Sequence, residues 1–262
     1  MRIIVDFQAA QSSGSRNRGI GRYATSLVKA MIRKNRGHEI VLLLNGLFPE
    51  TLEPIRESFR GDLPCENIRV WYGITPNAAV EPDSLGSRQA SERIRQRVIA
   101  ELEPDFVLVT SLFEGLGDDA VTTVRNPFCS APSAVILYDL IPLIYKDRYL
   151  HYPAAESWYF SKLKELKAAD LWLSISDSSR QEGIDYLGLN TQRSVSISTD
   201  ADAHFHRQRM SSAEKDHLLA KYALDRAFVM YTGGVDHRKN IEGLIEAYAR
   251  LPRDLREQHQ LA

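Results

Sequence analysis

Residues 13 to 23 read "SGSRNRGIGRY", with three glycines and three arginines between an apolar run and a helically periodic one. A turn between a buried strand and a helix leaves the first helical N–H groups without intrahelical partners and points the positive end of the helix dipole at whatever lies beyond. Such a turn is an anion pocket in outline. Gly19 and Gly21 would let a phosphate approach the backbone, and Arg22 would supply a charge-assisted donor. The spacing matches neither GxGxxG nor GxxxxGK[ST], so it supports neither a dinucleotide fingerprint nor a Walker loop. An ordinary surface turn with solvated arginines remains open for this stretch taken alone.

Three further constellations repeat the placement. In "YTGGVDHRKNIEGLIEAYARL", residues 231 to 251, an apolar run ends at Gly233 and Gly234, and Arg238 and Lys239 precede a helix expected to be capped by Asn240. Cations at a helix amino terminus oppose the dipole unless an anion joins them, so the pair suits a diphosphate. In "VILYDLIPLIY", residues 135 to 145, Asp139 closes a buried run ahead of an apolar, proline-containing loop. It could hold a sugar hydroxyl or cap the next turn. In "LSISDSSRQEGIDYLGL", residues 173 to 189, Ser176 or Asp177 N-caps a helix that ends at Gly188, and capping alone and a ligand contact both stay open.

The elements that must carry these loops are short Val-, Ile- and Leu-rich runs at 2–7, 39–44, 68–72, 105–110, 134–139, 171–176, 194–198 and 228–233. They are continuous rather than alternating, as befits strands covered on both faces. Helical patterns lie between them: Ile20, Tyr23, Leu27, Val28 and Met31 share one face, as do Ile94, Val98, Ile99 and Leu102, and amphipathic segments cover about 154–169, 178–187, 212–223 and 240–251. The alternation predicts an α/β fold with a mostly parallel sheet and helices on both faces. Ligands of such sheets bind at the carboxyl ends of the strands, where all four constellations fall.

The polar stretch 198–227 reads as a connector. Residues 228–262 offer one strand and one helix, which cannot bury an apolar face alone, so the second module is expected to be truncated and the chain to be a piece of a longer protein. Within 262 residues, 33 basic against 34 acidic residues give no bulk attraction to nucleic acid or anionic membrane. A hydrophobic share of 44% and a charged share of 26% are those of a soluble globular protein. No apolar run reaches the roughly 20 residues of a membrane span, and the amino terminus lacks a signal-peptide pattern. Cys65 and Cys129, in no CxxC spacing, are expected to be free thiols in a reducing cytosol.

In order and spacing, "RGIGRYATSLVKAM", "YDLIPLIY", "SISDSSRQEGIDYLGL" with "SVSIS", and "YTGGVDHRKNIEGLIEAY" resemble the retaining glycosyltransferases of the GT-B fold, the group known as glycosyl transferases group 1 or family 4. Within it the pattern is nearest to bacterial enzymes of O-antigen and other surface polysaccharides, some of them mannosyltransferases. The resemblance implies a Rossmann-like acceptor-side domain over residues 1–210, and over 211–262 a connector with the first βα unit of a truncated, Rossmann-like donor domain. It implies two domains facing across a cleft, a GDP- or UDP-sugar as co-substrate, a glycan or lipid-linked acceptor, no required metal, and a cytoplasmic site of action, with association at the inner membrane surface an open extension.

By the same resemblance Gly19, Gly233, Arg238 and Lys239 are donor- and phosphate-side residues. Arg22, Tyr23 and Ser176 lie on the acceptor or sugar side, and Tyr138 and Asp139 hold the catalytic, sugar-end positions. Two departures stand out: Tyr138 replaces a histidine of many relatives, and Gly234 stands where others carry arginine. The acidic EX7E element of the family is expected beyond residue 262. A non-catalytic carbohydrate-binding or assembly module of this fold, suggested by Tyr138 and Gly234, is the alternative, and an oxidoreductase or epimerase is disfavoured by the missing GxGxxG. The opening loop, deprived of a complete donor domain, is expected to be mobile.

Overall fold

A computed structural model describes every residue except 202–204 and 208, which fall inside the polar connector, so that part of the connector lies outside the described residues. The chain divides into two compact units, Met1–Asp202 and Ala203–Ala262.

The first unit is built on seven parallel strands: β1 (Arg2–Asp6), β2 (Glu39–Asn45), β3 (Ile68–Trp71), β4 (Phe106–Val109), β5 (Ser133–Leu137), β6 (Leu171–Ser174) and β7 (Ser194–Ser196). Their order across the sheet is β3-β2-β1-β4-β5-β6-β7. The strands alternate with helices α1 (Gly19–Arg33), α2 (Pro49–Ser58), α3 (Ser84–Glu101), α4 (Ile141–Ile144), α5 (Lys146–Tyr149), α6 (Pro153–Leu166) and α7 (Asp177–Leu187). The direction of winding reverses between β1 and β4, which makes their carboxyl ends the switch point where open α/β sheets hold ligands.

Both faces of the sheet are covered, which is why its strands read as unbroken apolar runs. On one face Val5, Leu42, Leu44 and Ile136 pack with Ala24 and Val28 of α1 and Ile55 of α2. On the other, Ile4, Val41, Leu43 and Val107 meet Ile94, Val98 and Ile99 of α3, while Val135 and Leu137 meet Tyr159, Leu163 and Leu166 of α6. The α/β, Rossmann-like sheet expected from the sequence is the one found.

Several elements differ from expectation. Helix α2 breaks the apolar periodicity with an internal Pro54 but starts at Pro49, a residue preorganised for a first helical turn. The "LIPLIYKDRYLHYP" segment, expected as a loop, forms the short helices α4 and α5, with Pro142 again in a first turn where its missing N–H costs nothing. Of the aromatics here, Tyr149 and Trp158 pack against the core, whereas Tyr145 and Tyr152 remain largely exposed.

The second unit contains α8 (Ser212–Lys221), β8 (Ala227–Val229), α9 (Ile241–Ala249), α10 (Arg253–Gln258) and β9 (His259–Leu261). Strand β9, invisible in the sequence because His259–Leu261 is no apolar run, pairs in parallel with β8 and closes a small βαβ unit. Phe228, Val229, Met230 and Ile245 keep 40–62% of their surface exposed. Both cysteines are free thiols, and among the described residues no helix is long and apolar enough to cross a membrane.

Among the described residues one ion pair of the first unit has both side chains buried. Arg95 of α3 reaches the carboxylate of Asp6 at the end of β1, Nε to Oδ2 at 2.9 Å, and both side chains are 1% exposed. Removing one partner of such a pair strands the other charge, at a cost of about 3–5 kcal/mol. Arg95→Ala is therefore expected to lower the unfolding free energy by about that amount in urea denaturation followed by circular dichroism. Arg97→Ala, whose pair with Glu101 is exposed at 2.9 Å, should cost no more than about 0.5 kcal/mol; equal effects would remove the buried pair from its structural role.

Candidate functional site

At the carboxyl edge of the first unit the backbone leaves β1 into a network of buried polar side chains. Gln8 donates through Nε2 to Asp6 Oδ1 at 3.0 Å and to the Val121 carbonyl at 2.7 Å, while its Oε1 accepts from Asn45 Nδ2 at 3.0 Å and from the Val121 N–H at 2.9 Å. Gln11 continues the chain, donating to the Asn45 carbonyl at 3.0 Å and to Thr51 Oγ1 at 2.9 Å. Arg95 closes it with a bond to Thr123 Oγ1 at 3.0 Å. The loop after β4 is thus joined to the ends of β1 and β2 by fully partnered groups, the condition under which buried polarity rigidifies rather than weakens a core.

The "SGSRNRGIGRY" loop sits on this platform. Asp118 accepts from Ser12 Oγ at 2.8 Å, from the Ser13 N–H at 2.8 Å and from Ser13 Oγ at 2.9 Å. Buried Glu114 accepts from Ser111 Oγ at 2.7 Å and from Ser15 Oγ. The Ser15 carbonyl in turn accepts the N–H groups of Arg18 at 2.9 Å and Gly21 at 3.1 Å. A Cβ at Gly21 would stand 2.6 Å from that same carbonyl, so the glycine is demanded by the turn. The loop expected to be mobile is hydrogen-bonded to two carboxylates, because its serines provide donors alongside the glycines and arginines that dominate its sequence.

Gly19 opens α1, and Arg18 at the N-cap makes no side-chain cap hydrogen bond. A side chain at Gly19 would meet no atom within 4 Å, so the backbone there is accessible from outside the fold. Arg22 lies one turn along and donates through Nη2 to the Asn17 carbonyl at 3.2 Å. Tyr23 donates to the Ser198 carbonyl at 2.9 Å and packs edge-to-face on Tyr138 with ring centroids 5.8 Å apart. Tyr138 in turn donates to the carbonyls of Thr110 at 3.0 Å and Ile20 at 3.4 Å. Gly19, Arg22, Tyr23 and Tyr138 thus share one edge, and burial pushes the Tyr23 phenol up and the Tyr138 phenol well above the ordinary tyrosine range.

Asp139 and Ser176 lie just past the ends of β5 and β6, where Ser176 N-caps α7 and Asp139 closes a turn ahead of α4. Asp139 Oδ1 accepts from the Ile141 N–H at 3.1 Å, and Ser176 Oγ accepts from the Ser179 N–H at 3.0 Å. Ser179 Oγ then donates to the Tyr138 carbonyl at 2.6 Å, so the start of α7 holds the segment that carries Tyr138 and Asp139. Gly188 ends α7 in the left-handed region at φ 68°, as the sequence predicts.

In the second unit a Cβ at Gly233 would stand 2.7 Å from the Tyr231 hydroxyl, which itself donates to the Gly234 carbonyl at 3.0 Å. Asp236 caps a single 3₁₀ turn over His237–Lys239 by accepting from the Arg238 N–H at 3.0 Å, and it pairs with the Arg238 Nε at 2.9 Å. Arg238 and Lys239 do precede α9. Asn240 occupies the N-cap position but makes no side-chain cap bond, because it adopts a left-handed conformation at φ 48°. Among the described residues no group of three or more His, Cys, Asp or Glu side chains is placed to hold a metal. A groove of about 990 Å³ lies instead along α3, lined by Gln89, Glu92, Arg93, Gln96 and Arg125, and includes none of the residues singled out from the sequence.

The carboxylates Glu114 and Asp118 and the Asp6–Arg95 pair are not among the residues that the motifs pick out. A signal was present, since Asp6 closes "RIIVD" as Asp139 closes "AVILYD", and "EGLGDD" follows β4 at the same sheet edge.

An α/β Rossmann-like sheet, with glycine-bearing strand-to-helix turns at its carboxyl edge, is the fold of the GT-B glycosyltransferases that the chain resembles. No protein-family profile matches the chain. Over all of its 262 residues it is 32% identical to the serotype-specific mannosyltransferase WbdA of Escherichia coli, and over 99 residues, 37% of the chain, it is 33% identical to the O-antigen chain mannosyltransferase B of Escherichia coli. It spans 31% of the length of that WbdA and 26% of that of mannosyltransferase B. Among solved structures it is similar to Anabaena Alr3699/HepE in complex with UDP and glucose, with TM-score 0.59, 16% identity, and coverage of 100% of this chain and 60% of that one. It is also similar to the lipopolysaccharide outer core galactosyltransferase WaaB, with TM-score 0.54, 12% identity, and coverage of 100% and 60%.

The β4 loop is also held by Lys162 of α6, whose ammonium donates to the Thr122 carbonyl at 2.6 Å and to Thr122 Oγ1 at 2.8 Å. Burial pulls Lys162 down to about 8 from 10.5, against the opposing pull of Glu92. Between these values the unfolded chain binds the proton and the folded chain does not, so this group makes stability rise with pH from about 8 to 10.5 and contributes no slope below that window. The unfolding free energy of Lys162→Met minus that of the parent should therefore shrink as pH is raised from 8 to 10.5 in urea titrations. A difference independent of pH would contradict the buried, proton-poor lysine.

Proposed function

We propose that the protein of which this chain forms part is a retaining glycosyltransferase. It moves a sugar, with mannose favoured, from a nucleotide diphosphate sugar to a glycan or lipid-linked acceptor of surface polysaccharide synthesis. The observation that carries the reading is the likeness, over the whole chain, to the mannosyltransferase WbdA. The glycine-bearing strand-to-helix turns at Gly19 and at Gly233 to Lys239 support it. The first unit supplies the acceptor side and the second begins the donor side. Departure of a nucleoside diphosphate concentrates negative charge on oxygen in the transition state, and preorganised donors and cations aimed there are the main means of lowering its energy. Lys239 and Arg238, next to the amino terminus of α9, are assigned that charge, and Gly19 a backbone contact to phosphate; Tyr138 and Asp139 are assigned to the sugar end.

GDP- and UDP-sugars are the donor classes in view, the UDP case supported by the UDP and glucose bound to HepE. No metal is required, since cations and helix dipoles do the neutralising. Action is assigned to the cytoplasm, with peripheral contact at the inner membrane surface. A non-catalytic carbohydrate-binding module is the second reading, favoured by the commitment of the Tyr138 hydroxyl to two backbone carbonyls.

Lys239→Ala in the full-length protein is expected to slow nucleotide release from the working donor by about 10²–10³-fold, the loss of about 3–4 kcal/mol typical of one transition-state donor. Near-normal rates would remove Lys239 from the site. Transfer is further expected to persist in EDTA; loss restored by a divalent cation would replace charge neutralisation by side chains with a metal-dependent route. No turnover with any GDP- or UDP-sugar and acceptor would favour the binding module.

A further inference from the structure

The switch point of the sheet is crossed by a side-chain tie that no part of the glycosyl-transfer reading uses. Glu114, in the loop after β4, is 4% exposed and accepts hydrogen bonds from Ser111 Oγ on its own loop and from Ser15 Oγ on the loop after β1. Ser15 is 4% exposed, and its carbonyl receives the Arg18 and Gly21 N–H groups that flank Gly19. The backbone of Gly21 fits against that carbonyl only because it lacks a Cβ. The chain of contacts therefore runs without a gap from a carboxylate on the β4 side to the first turn of α1. A second acid, Asp118, holds Ser12 and Ser13 of the same loop and strengthens the tie, but it does not touch Ser15.

We propose that Glu114 is a positioning residue, acting through Ser15 to hold the Gly19 backbone where it can receive a phosphate group of the nucleotide sugar. The proposal rests on the glycosyl-transfer reading for the identity of the anion, and on this chain's geometry for the tie itself. An acid so near an anion site would ordinarily repel the ligand. Here two hydroxyls donate to its Oε1, and burial raises its pKa, which favours the neutral form and weakens the repulsion. The carboxylate thus serves as a hydrogen-bond acceptor for serines rather than as a reacting group, so its amide should replace it.

The test compares Glu114→Ala, Glu114→Gln and Ser15→Ala with the parent, all as full-length protein, by amide hydrogen exchange over residues 11–22 and by steady-state kinetics with the working nucleotide sugar. Glu114→Ala and Ser15→Ala should each exchange at least about tenfold faster in that segment and raise the donor KM about tenfold, with kcat within about threefold. Glu114→Gln, whose amide oxygen still accepts from both serines, should stay within about threefold of the parent in both. If Glu114→Ala folds poorly, Ser15→Ala decides with Glu114 intact. Faster exchange with an unchanged donor KM would overturn the positioning role, and unchanged exchange would overturn the tie. A fall in kcat alone, matching a loss of folded protein, would reduce Glu114 to a structural residue. A parent that turns over no nucleotide sugar would instead sink the glycosyl-transfer reading, and this assignment with it.

Discussion

The carboxyl edge of the first unit depends on the burial of Asp6. Its side chain lies at the end of the strand where the sheet reverses its winding, too deep for water to solvate its carboxylate, and the fold answers with Arg95 and Gln8. A buried charge is tolerable only when paired and hydrogen-bonded, so satisfying Asp6 fixes more than one side chain. Arg95 ties α3 to β1 and to Thr123, and Gln8 ties β1 to Asn45 and to Val121. The loops after β1, β2 and β4 are thereby set relative to one another before any ligand is considered.

The strand-end loops are laid over that frame. Serines of the first loop find acceptors in Glu114 and Asp118, and Tyr138 spans from β5 to the carbonyls of Thr110 and Ile20. What stays accessible is backbone at Gly19, with a side-chain cation one turn away at Arg22. Polar groups inside this edge hold the loops, and the Gly19 backbone and the Arg22 side chain are left at its surface. The second unit repeats the logic in small, with Asp236 holding the turn that presents Arg238 and Lys239.

Much of this was legible in the residues alone. Continuous apolar runs gave away strands covered on both faces, and the helical periodicity from Ile20 to Met31 matched α1, because burial on a parallel sheet leaves a strong mark on sequence. Gly188 ended its helix as expected, since a left-handed C-cap selects glycine so strongly. Elements whose reason is local and weak were hidden: α4 and α5 behind a proline that reads as a breaker, and β9 behind a polar tripeptide that pairs through its backbone. The polar network was hidden for a different reason. Asp6, Arg95 and Glu114 are about 90 and 20 residues apart in sequence, and only the crossing of the sheet brings the edge loops together. Asn240 shows a third limit, for its residue type favours capping while its backbone conformation removes it from that task.

Transfer of a sugar with retention, proposed from the likeness of this chain to WbdA, makes one stereochemical demand. The anomeric configuration of the product tests it most directly. Full-length protein incubated with an α-linked nucleotide sugar and its acceptor should give a new glycosidic bond that is α by proton nuclear magnetic resonance. A β-linked product, or no new linkage with any donor and acceptor tried, would contradict the account.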